Sequence, residues 1–320
     1  MRSKFILFFA FVVATACKKE TAEVEAVEAP PITVQVERFE QAFFESSRNE
    51  LPELKQKFPE FFPKGVPDEV WIEKMEHPQW RELYAEVQKQ HGDFSKSKAE
   101  LEKLFANIRH FFPDTRIPKV VTLIGDMDYT AKTIYADSLA LVALELYLGK
   151  NHRFYTDPKY LTVNYEPRQI APDMAESFMF GKIPPLGEDL ISKMVYWGKM
   201  LYAKDVLLNG FTDAEKIGYT PEQLAWSKEN EAYIWRYFVD EQLLYSTDPK
   251  LENRFINPGP FSKFYLEIDN ESPGRIGQYM GWQIVRSYME NNETRFQDML
   301  KLDARTLFEK SKYKPSKNAE

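Results

Sequence analysis

Two short stretches of the sequence bring carboxylates close together. Asp269 and Glu271 precede Arg275, and Asp173 and Glu176 are three residues apart. Paired carboxylates can act as general acid and general base, and an arginine fork can bind an anion. Acidic side chains in the first turn of a helix are also stabilised by the helix dipole without any reaction. The dipole explains both stretches, whereas the chemical interpretation predicts a small polar pocket with Arg275 as its anion clamp.

The histidines do not have the spacing of a metal site. They are His77, His91, His110 and His152, no two are four residues apart, and no HExxH motif occurs. Asp126-Met-Asp128 could supply oxygen ligands to calcium, but a loop site needs further carboxylates, and a hairpin turn explains this stretch better. The G-x-S-x-G motif of serine hydrolases is also absent. We therefore expect no metal and no cofactor.

Cys17 is the only cysteine in the 320 residues. It follows an apolar run from Phe5 to Val13 and the small residues 14–16, which is typical of a secretion signal. The run is well short of the ~20 residues that span a bilayer. The position resembles a bacterial lipobox, which is cut before the cysteine and acylated, for example with palmitate, although Ala14 replaces the usual larger aliphatic residue. An ordinary signal peptide with an incidental cysteine is the alternative, since a catalytic thiol needs a base and a folded pocket.

Charge and composition exclude some classes of partner and divide the chain into segments. The net charge of −7 and the pI near 5.4 argue against a nucleic-acid surface and against electrostatic adhesion to anionic lipid. Residues 18–31 alternate Glu with Ala and Val and end in two prolines, so they predict a flexible acidic tether with a reach of at most roughly 45 Å. The predicted organisation is a signal peptide at 1–16, lipidated Cys17 with the tether at 17–31, one domain at 32–308 and a frayed tail at 309–320.

The elements that position the candidate residues are mostly helical. Capping boxes predict helices that begin at Ser97, Thr212 and Thr220. β-branched runs broken by turn residues predict a small sheet of about three strands at about 118–145, and the alternation at 32–36 predicts another short strand.

Two features concern the C-terminal third. Ser272-Pro273 predicts the start of a helix in which Gly277 and Gly281 allow a neighbouring helix to approach closely. The aromatic residues from Trp226 to Phe238 predict one long helix that is buried between layers. The fold class is therefore α+β, mostly α-helical, with one small β-sheet packed against helices.

The longest motifs resemble a known family. The stretches LIGDMDYTAKTIYADSLALVALELYLG, RQIAPDMAESFMFGKIPP and FSKFYLEIDNESPGRIGQYMGWQIVRSYM are similar to the gliding-motility lipoprotein GldB family. The resemblance extends over nearly all of residues 32–300. It implies a lipid-anchored cell-envelope protein that is required for surface gliding. Its partners would be other motility lipoproteins and, through them, the type IX secretion machinery.

More remotely, the layout resembles predicted zinc peptidases in which a helix carries HExxH and the next helix carries an acidic ligand. The corresponding helices here read APDMAES and ISKMVYWGKMLY, without either histidine and without an acidic residue between Ile191 and Tyr202. Because neutral imidazoles hold catalytic zinc, the resemblance implies a degenerate zincin-like fold that is not an enzyme.

Three functions follow from these resemblances. The first is a non-catalytic, membrane-anchored lipoprotein that faces the periplasm, in either membrane, and assembles or stabilises gliding machinery. The second is a degenerate peptidase-like hydrolase or peptide-binding lipoprotein that uses Glu145, Asp173 or Glu176 as acid or base. A lipoprotein of general envelope biogenesis is a third. The candidate pocket comprises Glu145, Asp173, Glu176, Asp269, Glu271 and Arg275.

Overall fold

The computed structural model describes residues 29–184, 187–267 and 269–315. Over these ranges the fold is α+β and mostly α-helical, as predicted. The predicted signal peptide, Cys17 and nearly all of the tether lie outside the described residues. No helix in the described ranges is both long and apolar enough to cross a membrane. The helices are α1 (Phe39–Glu45), α2 (Leu51–Lys57), α3 (Asp68–Glu76), α4 (Pro78–His91), α5 (Ser95–Phe111), α6 (Lys159–Thr162), α7 (Ile170–Met179), α8 (Leu190–Leu207), α9 (Asp213–Ile217), α10 (Pro221–Glu229), α11 (Glu231–Asp240), α12 (Lys250–Phe255), α13 (Ile276–Asn291), α14 (Phe296–Lys301) and α15 (Ala304–Ser311).

One mixed sheet accompanies the helices. Its strands are β1 (Val36–Arg38), β2 (Lys119–Leu123), β3 (Thr133–Ala136) and β4 (Leu139–Ala143), in the order β1-β2-β4-β3. β2 is parallel to both β1 and β4, and β3 pairs antiparallel with β4. The strands predicted at 118–145 are confirmed. The sheet is larger than predicted because β1 joins it from the N-terminal stretch, and β1 begins where the predicted strand at 32–36 was expected to end.

α8 and α13 pack with their backbones in contact. A side chain on Gly281 would overlap the carbonyl oxygen of Met194, and one on Gly198 would overlap that of Gly281. A side chain on Gly277 would instead meet α12, with its Cβ 2.9 Å from the carbonyl oxygen of Phe255. The close approach predicted from the two glycines of α13 is confirmed, and Gly198 is the counterpart on α8.

Two of the three predicted capping boxes are present. Thr212 and Thr220 each accept a hydrogen bond from the backbone N–H three residues on, at 3.2 Å. The prediction at Ser97 is wrong, because α5 begins at Ser95, whose N–H donates to the Asp93 carboxylate at 2.9 Å. Ser97 lies inside that helix and is buried.

The predicted helix start at Ser272-Pro273 is also wrong. The Ser272 hydroxyl does not cap a helix but donates to the carbonyl oxygens of Ser262 and Asp269, at 3.0 and 2.7 Å. α13 begins only at Ile276, after Arg275 has taken the left-handed conformation with φ 60°. A tertiary hydrogen bond has therefore overridden the local signal.

The aromatic stretch from Trp226 to Phe238 forms two helices, not one. α10 ends before Asn230, whose side-chain amide donates to the carbonyl oxygen of Trp226 at 2.9 Å. In α11, Ile234 and Phe238 are buried, whereas Tyr233 is exposed. The stretch is thus buried on one side only.

Buried apolar side chains from Val34 to Leu307 form one contiguous cluster. Packing continues past residue 308, where the sequence predicts the domain to end. α15 extends to Ser311, and the Tyr313 hydroxyl donates to Glu231 at 2.8 Å. Residues 316–320 of the predicted frayed tail lie outside the described residues.

Candidate functional site

A cavity of about 310 Å³ opens between α7, the C-terminal end of α8 and the start of β3. Loops close its other sides: residues 160–165 around α6, residues 216–219 at the end of α9, residues 258–259, and residues 274–275 before α13. Ser177 of α7 accepts a hydrogen bond at 2.8 Å from the backbone N–H of Tyr135 in β3, which fixes α7 against the edge of the sheet. The cavity therefore lies where the sheet, α7 and α8 meet.

Both carboxylates that α7 directs into the cavity are paired with lysines. Lys132 Nζ lies 2.5 Å from Asp173 Oδ2, which also accepts a hydrogen bond from the Tyr147 hydroxyl at 2.8 Å. Lys204 Nζ of α8 lies 2.6 Å from Glu176 Oε2. The side chain of Lys204 is 5% exposed, whereas that of Glu176 is 32% exposed and faces the cavity. Each acid of the cavity thus has an ammonium partner.

The charge of Glu176 is fixed by these neighbours. Burial acts to raise the pKa of Glu176, but the positive charge of Lys204, aided by Arg275 and Lys132, outweighs burial and holds the pKa below its usual value. Glu176 therefore stays ionised at neutral pH. A carboxylate with a lowered pKa is a weak proton acceptor, so it is poorly suited to act as a general base.

A third lysine of the cavity, Lys216, belongs to a buried ionic network. Its Nζ donates to Asp205 Oδ1 at 2.9 Å. Arg286 of α13 makes two hydrogen bonds to Asp205, both at 2.8 Å, and two to Asp213 of α9, at 2.8 and 2.9 Å. The Trp282 indole also donates to Asp205 at 2.8 Å. This network joins α8, α9 and α13 beside the cavity.

Arg275 occupies a backbone conformation that few residues with a Cβ adopt. At φ 60° and ψ 28°, the left-handed region costs such a residue about 1–2 kcal/mol. The guanidinium donates through Nη2 to the carbonyl oxygen of Gly218 at 3.1 Å and lies 5.5 Å from the centre of the Tyr219 ring. Three lysines and Arg275 line the cavity in the described ranges, and each lysine forms an ion pair. Arg275 forms none with the described residues.

The structure brings together only part of the predicted pocket. Asp173, Glu176 and Arg275 line the cavity, but Asp269 and Glu271 do not. The Asp269 carboxylate accepts hydrogen bonds from three backbone N–H groups of the preceding loop, at 2.8–3.2 Å, and Glu271 is exposed. Because α13 begins after Arg275, the two acids lie in a separate 3-10 turn and not at the helix entrance.

Glu145 is also not among the residues that line the cavity. It is fully buried, and its Oε1 accepts a hydrogen bond from the backbone N–H of Gly125 at 2.9 Å. Oε2 has no hydrogen-bond partner in the part of the chain that the structure describes. Burial raises the pKa of Glu145 to about 7, although backbone N–H groups of Gly125 and Met127 act to lower it. Glu145 lies in the 3-10 turn that follows β4, and its carboxylate binds the turn that follows β2.

Three lysines that supply most of the cavity's positive charge were not predicted from the sequence, namely Lys132, Lys204 and Lys216. α8 continues to Leu207, five residues beyond the segment compared with the peptidases, and so includes Lys204. A usable signal was present, because Lys204-Asp205 is a charged pair within a largely apolar helix. No comparable signal marks the other two lysines.

The residues considered as metal ligands are dispersed. Among the described residues no group of three or more His, Cys, Asp or Glu side chains is arranged to hold a metal ion. Asp128 accepts a hydrogen bond from the backbone N–H of Thr130 at 2.9 Å, whereas Asp126 lies 3.4 Å from Lys74. His91 is buried with Nε2 3.0 Å from the carbonyl oxygen of Tyr147, and burial lowers its pKa to about 4. The expectation that the protein uses no metal stays a prediction.

Comparison with known proteins identifies the family. No curated protein and no solved structure matches the chain significantly. A family model described as gliding motility protein GldB matches residues 18–315, which include every element that lines the cavity. The chain belongs to the GldB family of gliding motility proteins.

Proposed function

We propose that this protein is a lipid-anchored protein of the cell envelope that is required for gliding. It faces the periplasm and assembles or stabilises the motility machinery and the associated type IX secretion machinery, without catalysing a reaction. Family membership supports the role in motility, and the lipobox-like position of Cys17 supports the anchor.

The ion pair between Lys204 and Glu176 carries the non-catalytic part of the proposal. In the zinc peptidases that the chain remotely resembles, the helix comparable with α7 holds a divalent cation. Here a nearly buried ammonium lies 2.6 Å from the carboxylate of Glu176, and it would repel a divalent cation at that place. The same ammonium lowers the pKa of Glu176 and weakens it as a base.

Metal analysis of the purified protein, combined with a panel of peptidase substrates, tests this part. The proposal predicts no stoichiometric zinc and no turnover above that of a blank. Glu176→Gln serves as the test variant and Glu271→Gln, an exposed acid outside the cavity, as its control. Stoichiometric zinc, or turnover that disappears in Glu176→Gln and persists in Glu271→Gln, would contradict the non-catalytic part of the proposal.

Cell fractionation tests the anchor. Cys17→Ser removes the acylated thiol, so the variant should leave the membrane fraction and appear in the soluble periplasmic fraction. The wild-type protein, expressed at the same level, is the reference. If the substituted protein remains with the membrane, lipidation at Cys17 does not hold it there.

Co-purification tests the proposed partners. Tagged protein, isolated from envelopes solubilised in mild detergent, should carry with it other motility or secretion lipoproteins in reproducible amounts. An unrelated lipoprotein with the same tag controls for adhesion through the lipid. An identical set of proteins with both baits would contradict a specific role in the machinery.

The cavity favours one version of the second candidate function, a peptidase-like fold that binds a ligand and does not cleave it. Its volume of about 310 Å³ suits a small ligand. Among the described residues both of its acids are paired, whereas the guanidinium of Arg275 keeps free hydrogen-bond donors.

A further inference from the structure

The charges that face the cavity do not cancel. Within the described ranges, Asp173 balances Lys132, and Glu176 balances Lys204. Lys216 is balanced from behind the wall by Asp205 of the buried network. One net positive charge remains, and Arg275, which interacts with Glu176 only at longer range, has no carboxylate within ion-pair distance in the described ranges.

The loops around Arg275 hold its guanidinium in place. Gly218, which accepts the hydrogen bond from Arg275, ends α9 in the left-handed conformation with φ 71°. The Tyr219 hydroxyl donates to the carbonyl oxygen of Gly274 at 2.6 Å, and Gly274 lies so close to Gly259 that a Cβ there would overlap the Gly259 carbonyl. A strained residue persists when its surroundings fix it in this way, as at ligand clamps.

Most of the guanidinium remains available for a ligand. An arginine carries five N–H donors in a planar fork, and in the described part of the chain only Nη2 of Arg275 has a hydrogen-bond partner. A planar fork matches a carboxylate, which it can bind through two parallel hydrogen bonds. The paired acids nearby would repel a second negative charge, so a single charge suits the site better than the two of a phosphate.

The remainder of the cavity suits a polar ligand body. Tyr129, Tyr160, Asn164 and Gln223 also line it. The Asn164 amide nitrogen already donates to the carbonyl oxygen of Gly218 at 3.1 Å, and the Gln223 amide oxygen accepts from the Thr220 N–H at 3.0 Å. The Asn164 oxygen, the Gln223 nitrogen and the tyrosine hydroxyls are the groups left for a ligand. The volume of about 310 Å³ limits the ligand to a small molecule or to the end of a chain.

We infer that this cavity binds a small organic monoanion through its carboxylate, with Arg275 as the carboxylate's partner and the tyrosine and amide groups around a polar body. The inference rests on the proposed function in one respect: the cavity binds its ligand and does not convert it into a product. Two sources offer the required chemistry, namely the C-terminal end of a short peptide and a sugar acid.

Binding to the full chain, purified in detergent, tests the inference by saturation-transfer NMR and calorimetry. The probes are N-acetyl-alanyl-alanine with its C-terminal amide, glucuronate with glucose, and inorganic phosphate. At least one carboxylate should bind saturably, and its uncharged counterpart should bind at least roughly tenfold more weakly, because the charge-assisted bonds are lost. Binding of the peptide acid alone identifies a peptide end, and binding of glucuronate alone identifies a sugar acid.

Arg275→Gly is the matched variant, because glycine adopts the left-handed conformation without strain and the fold should persist. It should weaken binding of the carboxylate by at least roughly tenfold. Lys312→Gly is its control, since Lys312 is also a cation in the left-handed conformation, with φ 51°, but is exposed and lies outside the cavity. It should bind like the wild type.

Several results would overturn the inference: neither carboxylate binds, an uncharged counterpart binds equally well, phosphate binds more tightly than both acids, or Arg275→Gly binds like the wild type. Binding is measured on purified protein and needs no motile cell, so failure here leaves the motility proposal standing. Turnover of the peptide probe would instead contradict the proposed function.

Discussion

Gly281 holds α8 and α13 at backbone contact, so its replacement by alanine should push the two helices apart. The added Cβ would overlap the carbonyl oxygen of Met194. That oxygen is part of the α8 backbone and cannot rotate away, so the helices must separate by at least roughly 1 Å to regain van der Waals distance. α8 carries Lys204, and α13 follows Arg275, so this separation would also disturb the cavity.

The magnitude follows from two opposing effects. Overpacking of a core costs about 1–3 kcal/mol, and a backbone obstacle places Gly281→Ala at the upper end of that range. Alanine in place of glycine in a helix regains about 1 kcal/mol. The unfolding free energy should therefore fall by about 2 kcal/mol, which corresponds to a Tm lower by roughly 3–4 °C for a domain of this size.

Thermal unfolding, followed by near-ultraviolet circular dichroism, measures the effect. Gly277→Ala is the matched control on the same helix, because its Cβ would meet the flexible end of the Ile256 side chain and the Phe255 carbonyl, both at 2.9 Å. That overlap is milder than the one at Gly281, although the Phe255 carbonyl also belongs to the backbone, so the Tm of Gly277→Ala should fall by less than that of Gly281→Ala. If Gly281→Ala loses no stability, the two helices are not held at backbone contact.

Three further predictions concern charged side chains. Asp205→Asn should lower the unfolding free energy in urea by about 3 kcal/mol, because it removes a charge that Arg286 pairs with inside the protein; a loss below roughly 1 kcal/mol would mean that the network is not needed for stability. Arg275→Gly should leave the unfolding free energy within about 1 kcal/mol of the wild type, because relief of the left-handed backbone offsets the lost hydrogen bond; a larger loss, measured in urea, would disprove the strain. The pKa of Glu145 is raised to about 7, so its contribution to stability is present below its ordinary pKa and is lost as pH rises through 7. The pKa of His91 is lowered to about 4, so its contribution is present above its ordinary pKa and is lost as pH falls through 4. The two effects oppose each other, so Glu145→Gln should make the unfolding free energy rise with pH between 4.5 and 7 by about 3 kcal/mol more than in the wild type; an unchanged pH profile would mean that Glu145 ionises normally.

The sequence predicted correctly those features that depend on residues close together in the chain. The boxes at Thr212 and Thr220 formed because each needs only residues of its own first turn. Asp173 and Glu176 reach the same cavity because one helix carries both, one turn apart.

The remaining features of the site depend on contacts between distant segments. Lys132 and Lys204 come from a loop before β3 and from α8, and no spacing in the sequence brings them to α7. Ser272 was expected to cap a helix, but it bonds instead to Ser262, ten residues earlier. β1 pairs with a strand more than eighty residues away, so its partner could not be read from its own residues.

Colony spreading tests the central proposal most directly. A strain that lacks this gene is compared, on a surface that supports gliding, with its parent and with the deletion complemented by the wild-type chain. The proposal predicts that the deletion does not spread and that complementation restores spreading. Normal spreading of the deletion strain would contradict a required role in gliding.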